Sequence, residues 1–330
     1  MVLQVISQNV KIDDELPNVL ILGPPSVFNL YERQFSEKYR LLKPWESSLP
    51  LKQYLVTHAD SVQAAFSSPK QPINTDILQM LPELRLIATS SAGVDHIDLC
   101  ECKRLGIKVT NAASAFSEDV ADSAVGLLID VLRKVSAADR FVRAGLWPQN
   151  GDYLLGNKLG GKQVGIVGMG SIGLNVAKRL HAFGCIISYT SRNKKPHLTY
   201  PFCADINELA SLCDILVICC ALTHQTRHMI DKNVLLALGK GGVIVNVARG
   251  AVIVEKDLVE CLLKGEIAGA GLDVFENEPK VLEEFFELDN VVLSPHNAAM
   301  TEESFNSIYE LTVRNLDAFF SNKSLMNVVV

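Results

Sequence analysis

One six-residue stretch, Gly168-Met169-Gly170-Ser171-Ile172-Gly173, limits what this chain can fold into more than any other, because of what stands on either side of it. The apolar run Val164-Gly165-Ile166-Val167 precedes it and reads as a buried strand. A helix-compatible stretch, Ile172–Phe183, follows with Val176, Ala177 and Leu180 as its inner face. A G-x-G-x-x-G match alone arises by chance in many turns, but strand, glycine turn and helix in this order form a pyrophosphate-binding corner. The first two glycines let backbone N–H groups approach a phosphate at the positive end of the helix, and a side chain at Gly170 would occupy the phosphate's space.

The rest of the chain fits that corner into a larger plan. From Gln163 onward six apolar runs appear: Gln163–Val167, Cys185–Thr190, Asp214–Cys219, Gly242–Val247, Ile267–Asp273 and Asn290–Ser294. Six strands joined by right-handed crossovers make a complete dinucleotide-binding sheet. Before them, Val19–Leu22, Val62–Phe66, Leu84–Thr89 and Ile107–Thr110 alternate with helical patterns, which implies further parallel βαβ units. A chain of 330 residues, 48% hydrophobic, has material for two cores, so two α/β domains are expected. A long helix capped by Ser117 or Asp119 carries Val120, Ala121, Ala124, Val125, Leu127, Leu128, Val131 and Leu132, and is expected to lie buried between the domains. The closing helix, about Glu303–Phe320, has no strand left to precede and is expected to return to the first domain.

About twenty residues beyond the glycine turn, an enzyme that prefers the unphosphorylated cofactor carries Asp or Glu on the ribose 2′-hydroxyl. This chain reads Ser191-Arg192-Asn193-Lys194-Lys195 there. A carboxylate would repel a 2′-phosphate, whereas Arg192 can clamp one, Ser191 can donate to it and Lys194 adds charge. NADP(H) is therefore expected over NAD(H), although an ordinary solvated turn would have the same composition.

Ligands of open α/β sheets bind beyond the carboxyl ends of the strands. Three successive expected strands run there into Arg249, into Glu278 and into His296. Together they suit carbonyl reduction. The Arg249 fork can hold a carboxylate and polarise a ketone, His296 can deliver a proton to the forming alkoxide, and Glu278 can raise the histidine's pKa and fix its tautomer. Taken singly, each also reads as a surface turn, a helix-entry carboxylate or a hydrogen-bonded core histidine.

Several classes are disfavoured. A net charge of −6 without a basic run offers no footprint for nucleic acid or an anionic membrane. The longest apolar stretches fall well short of the ~20 residues that span a bilayer. The N-terminus lacks a secretory pattern and the chain ends Val328-Val329-Val330 rather than in a peroxisomal tripeptide, so the cytosol is expected. The eight cysteines show no metal-ligand spacing and read as buried free thiols, with Cys100 and Cys102 the one pair that suggests redox chemistry.

At these residues the chain resembles the D-isomer-specific 2-hydroxyacid dehydrogenases, and among them the plant hydroxypyruvate/glyoxylate reductases that prefer NADPH. The resemblance runs from about Val19 to Phe320. It is carried by Ser91-Ala92-Gly93-Val94-Asp95-His96-Ile97-Asp98, the glycine turn, Ser191-Arg192, Asn246-Val247-Ala248-Arg249-Gly250, Gly271–Pro279 and Ser294-Pro295-His296. It implies a flavodoxin-like catalytic domain from both chain ends (1–117 and 298–330) with a Rossmann domain, 118–297, inserted between them. It implies substrate binding by Arg249, acid/base action by His296 and tuning by Glu278. It further implies that Ala92, Gly93 and Val94 offer backbone N–H groups to the substrate carboxylate, and that Val247 and Asp273 join the glycine turn and Ser191–Asn193 in holding the cofactor, with Asp273 facing the nicotinamide. Relatives are dimers in which a tryptophan arm reaches the partner's site, and Trp147 is the matching residue. One departure is Asn297-Ala298-Ala299-Met300, where many members have a Gly-Ser or Gly-Ala pair after the histidine. The N-terminal extension, about Met1–Leu16, matches nothing and is assigned no role.

The expected reaction is reduction of hydroxypyruvate to D-glycerate and of glyoxylate to glycolate. A bulkier keto acid such as hydroxyphenylpyruvate is the enzymatic alternative, and a dinucleotide-sensing corepressor is the alternative from another class. Formate dehydrogenases carry Gln where this chain has Glu278, and 3-phosphoglycerate dehydrogenases usually append a regulatory domain that is not expected here.

Overall fold

The computed structural model describes residues 16–112 and 115–330, so residues 1–15 of the extension lie outside the described part. The chain forms two compact units, one from the residues up to Ala115 with Phe305–Val330, the other Phe116–Ser304.

The first unit holds five parallel strands, β1 (Asn18–Leu22), β2 (Arg40–Leu42), β3 (Ala64–Ser67), β4 (Leu86–Thr89) and β5 (Lys108–Thr110), in the order β2-β1-β3-β4-β5. That is the flavodoxin-like order. β3 and β4 are buried at every position, as strands covered on both faces must be, and they read as continuous apolar runs for that reason. β2 has no counterpart in the sequence reading. It is a three-residue edge strand with an exposed first residue, too short to show a period, and it starts where the Arg40 N–H meets Pro17 O at 3.0 Å. The closing helix, Glu302–Phe320, packs on this unit: the Tyr309 ring stacks on Tyr31 at 4.6 Å and Asp317 accepts from the Tyr39 hydroxyl at 2.5 Å.

The second unit holds six parallel strands, β6 (Gln163–Val167), β7 (Ile186–Thr190), β8 (Ile215–Ile218), β9 (Val243–Asn246), β10 (Gly269–Leu272) and β11 (Val291–Leu293), in the order β11-β10-β9-β8-β6-β7. All six expected runs are strands. Beyond β7 the sheet continues as a single parallel bridge between Tyr189 and Phe202, so an outer strand is reduced to one residue pair. The chain reverses its direction of strand addition between β6 and β8, which opens a crevice at their carboxyl ends.

The helix Ser117–Arg133 lies against β9, β10 and β11 through the apolar residues expected of it. Its N-cap is Phe116, not Ser117 or Asp119. Those two side chains are engaged elsewhere: the Ser117 hydroxyl accepts from Asn175 Nδ2 at 3.3 Å and the Asp119 carboxylate from Thr301 Oγ1 at 2.7 Å. The Thr301 bond ties residues after His296 to the second unit, which therefore runs to Ser304, beyond the expected boundary at 297. On the helix Ser171–Ala182, Val176, Ala177 and Leu180 are fully buried, so Leu180→Ala would cost ~2–5 kcal/mol.

Candidate active site

Register aligns the site. In the second unit, Thr190 pairs with Val167, Val167 with Ile218, Ile218 with Asn246, Asn246 with Leu272 and Leu272 with Leu293. One straight row crosses the whole sheet, and the segments that carry the expected cofactor and acid/base residues begin just past it. Ser191 follows Thr190, Gly168 follows Val167, Val247 follows Asn246, Asp273 follows Leu272 and Ser294 follows Leu293. Because β9, β10 and β11 are neighbours, each about 4.8 Å from the next, the chain segments bearing Arg249, Glu278 and His296 emerge within ~10 Å of one another.

The glycine turn fits a dinucleotide phosphate. A Cβ built on Gly170 meets nothing within 4 Å, so the space above that backbone is open for a ligand. A Cβ on Gly173 would lie 2.1 Å from Gly168 O, so the helix can approach the turn this closely because residue 173 has no side chain. No side chain caps the helix Ser171–Ala182, which leaves its first N–H groups facing the turn for an anion. Met169 is buried, while Ser171 is exposed and Ile172 half-buried. The Ser191–Asn193 turn adjoins this corner, since Gly168 N–H donates to Thr190 O at 2.8 Å. Arg192 is exposed there. Ser191 donates its hydroxyl to Asn193 O at 2.7 Å, so it holds the turn and would have to rotate to donate to a phosphate.

His296 Nδ1 lies 2.7 Å from Glu278 Oε2, which is the pairing expected from sequence. Burial would raise the Glu278 carboxyl, but the His296 hydrogen bond, the Phe275 N–H on its other oxygen and the charges of His296 and Arg249 outweigh it, and the group is held below the usual Glu range. His296 adopts φ +53°, a left-handed conformation that costs a non-glycine residue of order 1–3 kcal/mol and persists where surroundings dictate it.

Asp273 does the dictating. Its side chain is 1% exposed, and it accepts from Ser294 Oγ (2.6 Å), Asn297 N–H (2.9 Å) and Ala298 N–H (3.2 Å), while its carbonyl accepts the His296 N–H at 2.8 Å. The resemblance implies that Asp273 faces the nicotinamide; in the fold its carboxylate is bonded into the loop that carries His296. Burial pushes its carboxyl above the usual range against the pull of those hydrogen bonds.

Arg249 ends a turn folded by Asn246, whose side chain accepts from Ala248 N–H and donates to Arg249 O, both at 3.0 Å. Val247 is buried, its N–H on Ile218 O at 3.3 Å. The next residue, Gly250, sits against the Glu278 loop so tightly that a Cβ there would be 1.9 Å from Phe275 C. A second clamp went unseen in sequence: buried Glu255, in the first turn of the helix Glu255–Leu263, accepts the Glu276 N–H at 2.7 Å. The segments bearing Arg249 and Glu278 are thus locked together.

The other expected residues fall elsewhere. Ala92, Gly93 and Val94 follow β4 in the first unit, half-buried. Trp147 begins a four-residue helical turn in the second unit and is 57% exposed. The cysteines are all unpaired; Cys100 is exposed rather than buried, and burial pushes the Cys102 thiol up to about 11.

Comparison with known proteins agrees with this geometry. A family model described as D-isomer specific 2-hydroxyacid dehydrogenase, NAD binding domain, matches residues 125–298. The Arabidopsis thaliana glyoxylate/hydroxypyruvate reductase HPR3 is 50% identical over 315 residues, 96% of this chain and 98% of that protein. The hydroxyphenylpyruvate reductase of Plectranthus scutellarioides is 41% identical, with 96% of this chain and 100% of that protein covered. Among solved structures, an NADPH-dependent glyoxylate/hydroxypyruvate reductase from Sinorhizobium meliloti, in complex with NADP and malonate, superposes with a TM-score of 0.86 at 33% identity over 95% of this chain and 97% of that one. With a dinucleotide corner, a histidine–carboxylate pair and near full-length likeness, this chain belongs to the D-isomer specific 2-hydroxyacid dehydrogenase family of oxidoreductases.

Proposed function

We propose that the protein reduces small 2-keto acids, glyoxylate and hydroxypyruvate first among them, with NADPH as the preferred cofactor. The observation that carries this reading is the register row, beyond which the glycine turn, Arg192, Arg249, Glu278 and His296 all emerge on one edge of one sheet. The nicotinamide, when bound, supplies a hydride to the ketone carbon. Arg249 holds the substrate carboxylate and draws charge onto the ketone oxygen. His296 gives that oxygen its proton from Nε2, while Glu278 on Nδ1 fixes the orientation of the ring. Ala92, Gly93 and Val94 offer backbone N–H groups to the carboxylate. Arg192 receives the 2′-phosphate, and no carboxylate stands at that strand end to repel it.

Steady-state turnover with NADPH and NADH, each against glyoxylate, hydroxypyruvate and hydroxyphenylpyruvate, tests the reading. We expect the two small acids with NADPH to give the highest kcat/KM. Faster hydroxyphenylpyruvate turnover would move the substrate to the bulkier class, and cofactor binding without turnover would favour a sensing role. Arg192→Asp should shift preference toward NADH, and an unchanged NADPH/NADH ratio would remove the phosphate assignment.

The same reading makes the protein a homodimer. Trp147 (57% exposed), Leu154 (70%) and Leu155 (93%) present apolar surface on one stretch of chain, which a second copy would cover. Sedimentation at micromolar concentration checks this, with a monomer as the contrary result. Eight unpaired thiols suit the reducing cytosol, and a fluorescent fusion would show the compartment. Among the described residues, no helix is long and apolar enough to cross a membrane.

A further inference from the structure

The Ser91–Val94 loop has an unusual set of restraints on its carbonyls. Ser91 O accepts from Ala112 N–H at 3.0 Å, Ala92 O from Asn111 Nδ2 at 2.9 Å, Gly93 O from Ser91 Oγ at 2.7 Å and Val94 O from Ile97 N–H at 3.0 Å. Four consecutive carbonyls are therefore held by the protein. In a planar trans peptide the C=O of one residue and the N–H of the next point in opposite directions. Fixing the carbonyls of Ser91, Ala92 and Gly93 on the protein side turns the N–H groups of Ala92, Gly93 and Val94 the other way, as successive donors of an anion-binding concavity.

One of these restraints depends on a distant part of the sequence. Asn111 follows β5, and residues 326–330 pair with that strand antiparallel: Val329 N–H donates to Val109 O at 2.8 Å and Val109 N–H to Val330 O at 3.1 Å. Asn111 is gripped on both backbone groups by Asn327, its N–H on Asn327 O at 3.2 Å and its carbonyl accepting from Asn327 Nδ2 at 3.4 Å. Asn327 takes a left-handed φ of +52°, which Asn tolerates better than most residues. The turn before it is pinned to the closing helix, where Asn315, 2% exposed, accepts the Met326 N–H at 2.8 Å. With its backbone so held, the Asn111 side chain reaches Ala92 O in a fixed direction.

We propose that residues Met326–Val330 and Asn111 form a clasp that orients the Ser91–Val94 loop for the substrate carboxylate, with Asn111 as the positioning residue. This rests on the proposal that the loop receives that carboxylate. Every member of the clasp lies in the first unit, whereas the glycine turn and the His296–Glu278 pair lie in the second, so substrate affinity should respond without cofactor affinity.

The experiment is a KM-against-kcat comparison joined to amide exchange. Asn111→Ala, which removes one anchoring hydrogen bond, should raise KM for glyoxylate about two- to tenfold, leave NADPH affinity and kcat near wild type, and speed amide exchange across residues 91–95. Asn327→Val, a β-branched residue in a left-handed position, should do the same. Asn327→Gly, which keeps that conformation and its carbonyl and loses only the long 3.4 Å bond to Asn111 O, should have a smaller effect than Asn327→Val. Unchanged KM and unchanged loop exchange in Asn111→Ala would overturn the clasp, as would a KM rise matched by an equal loss of NADPH affinity, the mark of general loosening. If the wild-type protein reduces no keto acid, the functional reading falls, and loop exchange alone then decides the clasp.

Discussion

Two imidazole–carboxylate pairs stand beyond the end of β10, His296 with Glu278 at 2.7 Å and His228 with Glu276 at 2.6 Å. Both histidines are left-handed, at φ +53° and +55°, and both pairs are half-exposed. Distance and burial do not separate them. Ring chemistry does. His296 bonds its carboxylate through Nδ1 and leaves Nε2, the outer nitrogen, for a ligand, whereas His228 engages Nε2 and leaves the nitrogen next to its own backbone. Glu278 also feels Arg249, the cation we assign to substrate, while Glu276 has Arg227 at 3.9 Å and gives its backbone N–H to Glu255. A histidine–carboxylate pair becomes a proton donor through which nitrogen it keeps and which cation it faces. The second pair reads as a clip holding the Glu278 loop.

The largest effect should come from His296→Ala, which is expected to lower kcat by ~10²–10⁴ in glyoxylate reduction, the range for loss of a positioned proton donor. An equal loss in His228→Ala would erase the distinction between the pairs. Next comes Gly250→Val, because its Cβ would fall 1.9 Å from Phe275 C and push the Glu278 loop off the Arg249 turn. Overpacking of this kind costs on the order of 1–3 kcal/mol, readable in urea unfolding, and turnover of the folded fraction should fall as well. Full turnover would show that the two segments need no such contact.

The Glu278 carboxyl gives a smaller, pH-dependent signature. A group depressed in the folded state adds stability above its ordinary pKa and loses it as pH falls through the lowered value. Wild type should therefore exceed Glu278→Gln in urea midpoint at pH 7 and converge on it toward pH 3. The gap should stay below ~1 kcal/mol, because the side chain is 34% exposed and screened. A gap that widens with acid would contradict the depressed carboxyl. The smallest effect belongs to His228→Ala, expected within about twofold in kcat, as for a surface substitution outside the chemistry.

What sequence could show here was whatever is local. The six runs of the second unit, the glycine turn and the residues just past each strand are periodic or adjacent in the chain, and all were legible. β2 escaped because Arg40-Leu41-Leu42, with an exposed charge first, makes no apolar run. Phe116 displaced the expected caps because Ser117 and Asp119 have partners at Asn175 and Thr301, far along the chain. The place of Asp273 beyond β10 is visible in sequence, while its three hydrogen-bond donors, at 294, 297 and 298, are not. Glu255, Asn111 and Asn327 likewise act through bonds that only the folded chain creates.

The most direct measurement is a crystal structure of the protein with NADP and oxamate, a keto-acid analogue that cannot be reduced. Our account requires His296 Nε2 within ~3.2 Å of the analogue oxygen that stands for the ketone, Glu278 still on Nδ1 and Arg249 on the carboxylate. Oxamate seated beside His228 and Glu276, or His296 turned away from it, would contradict the account.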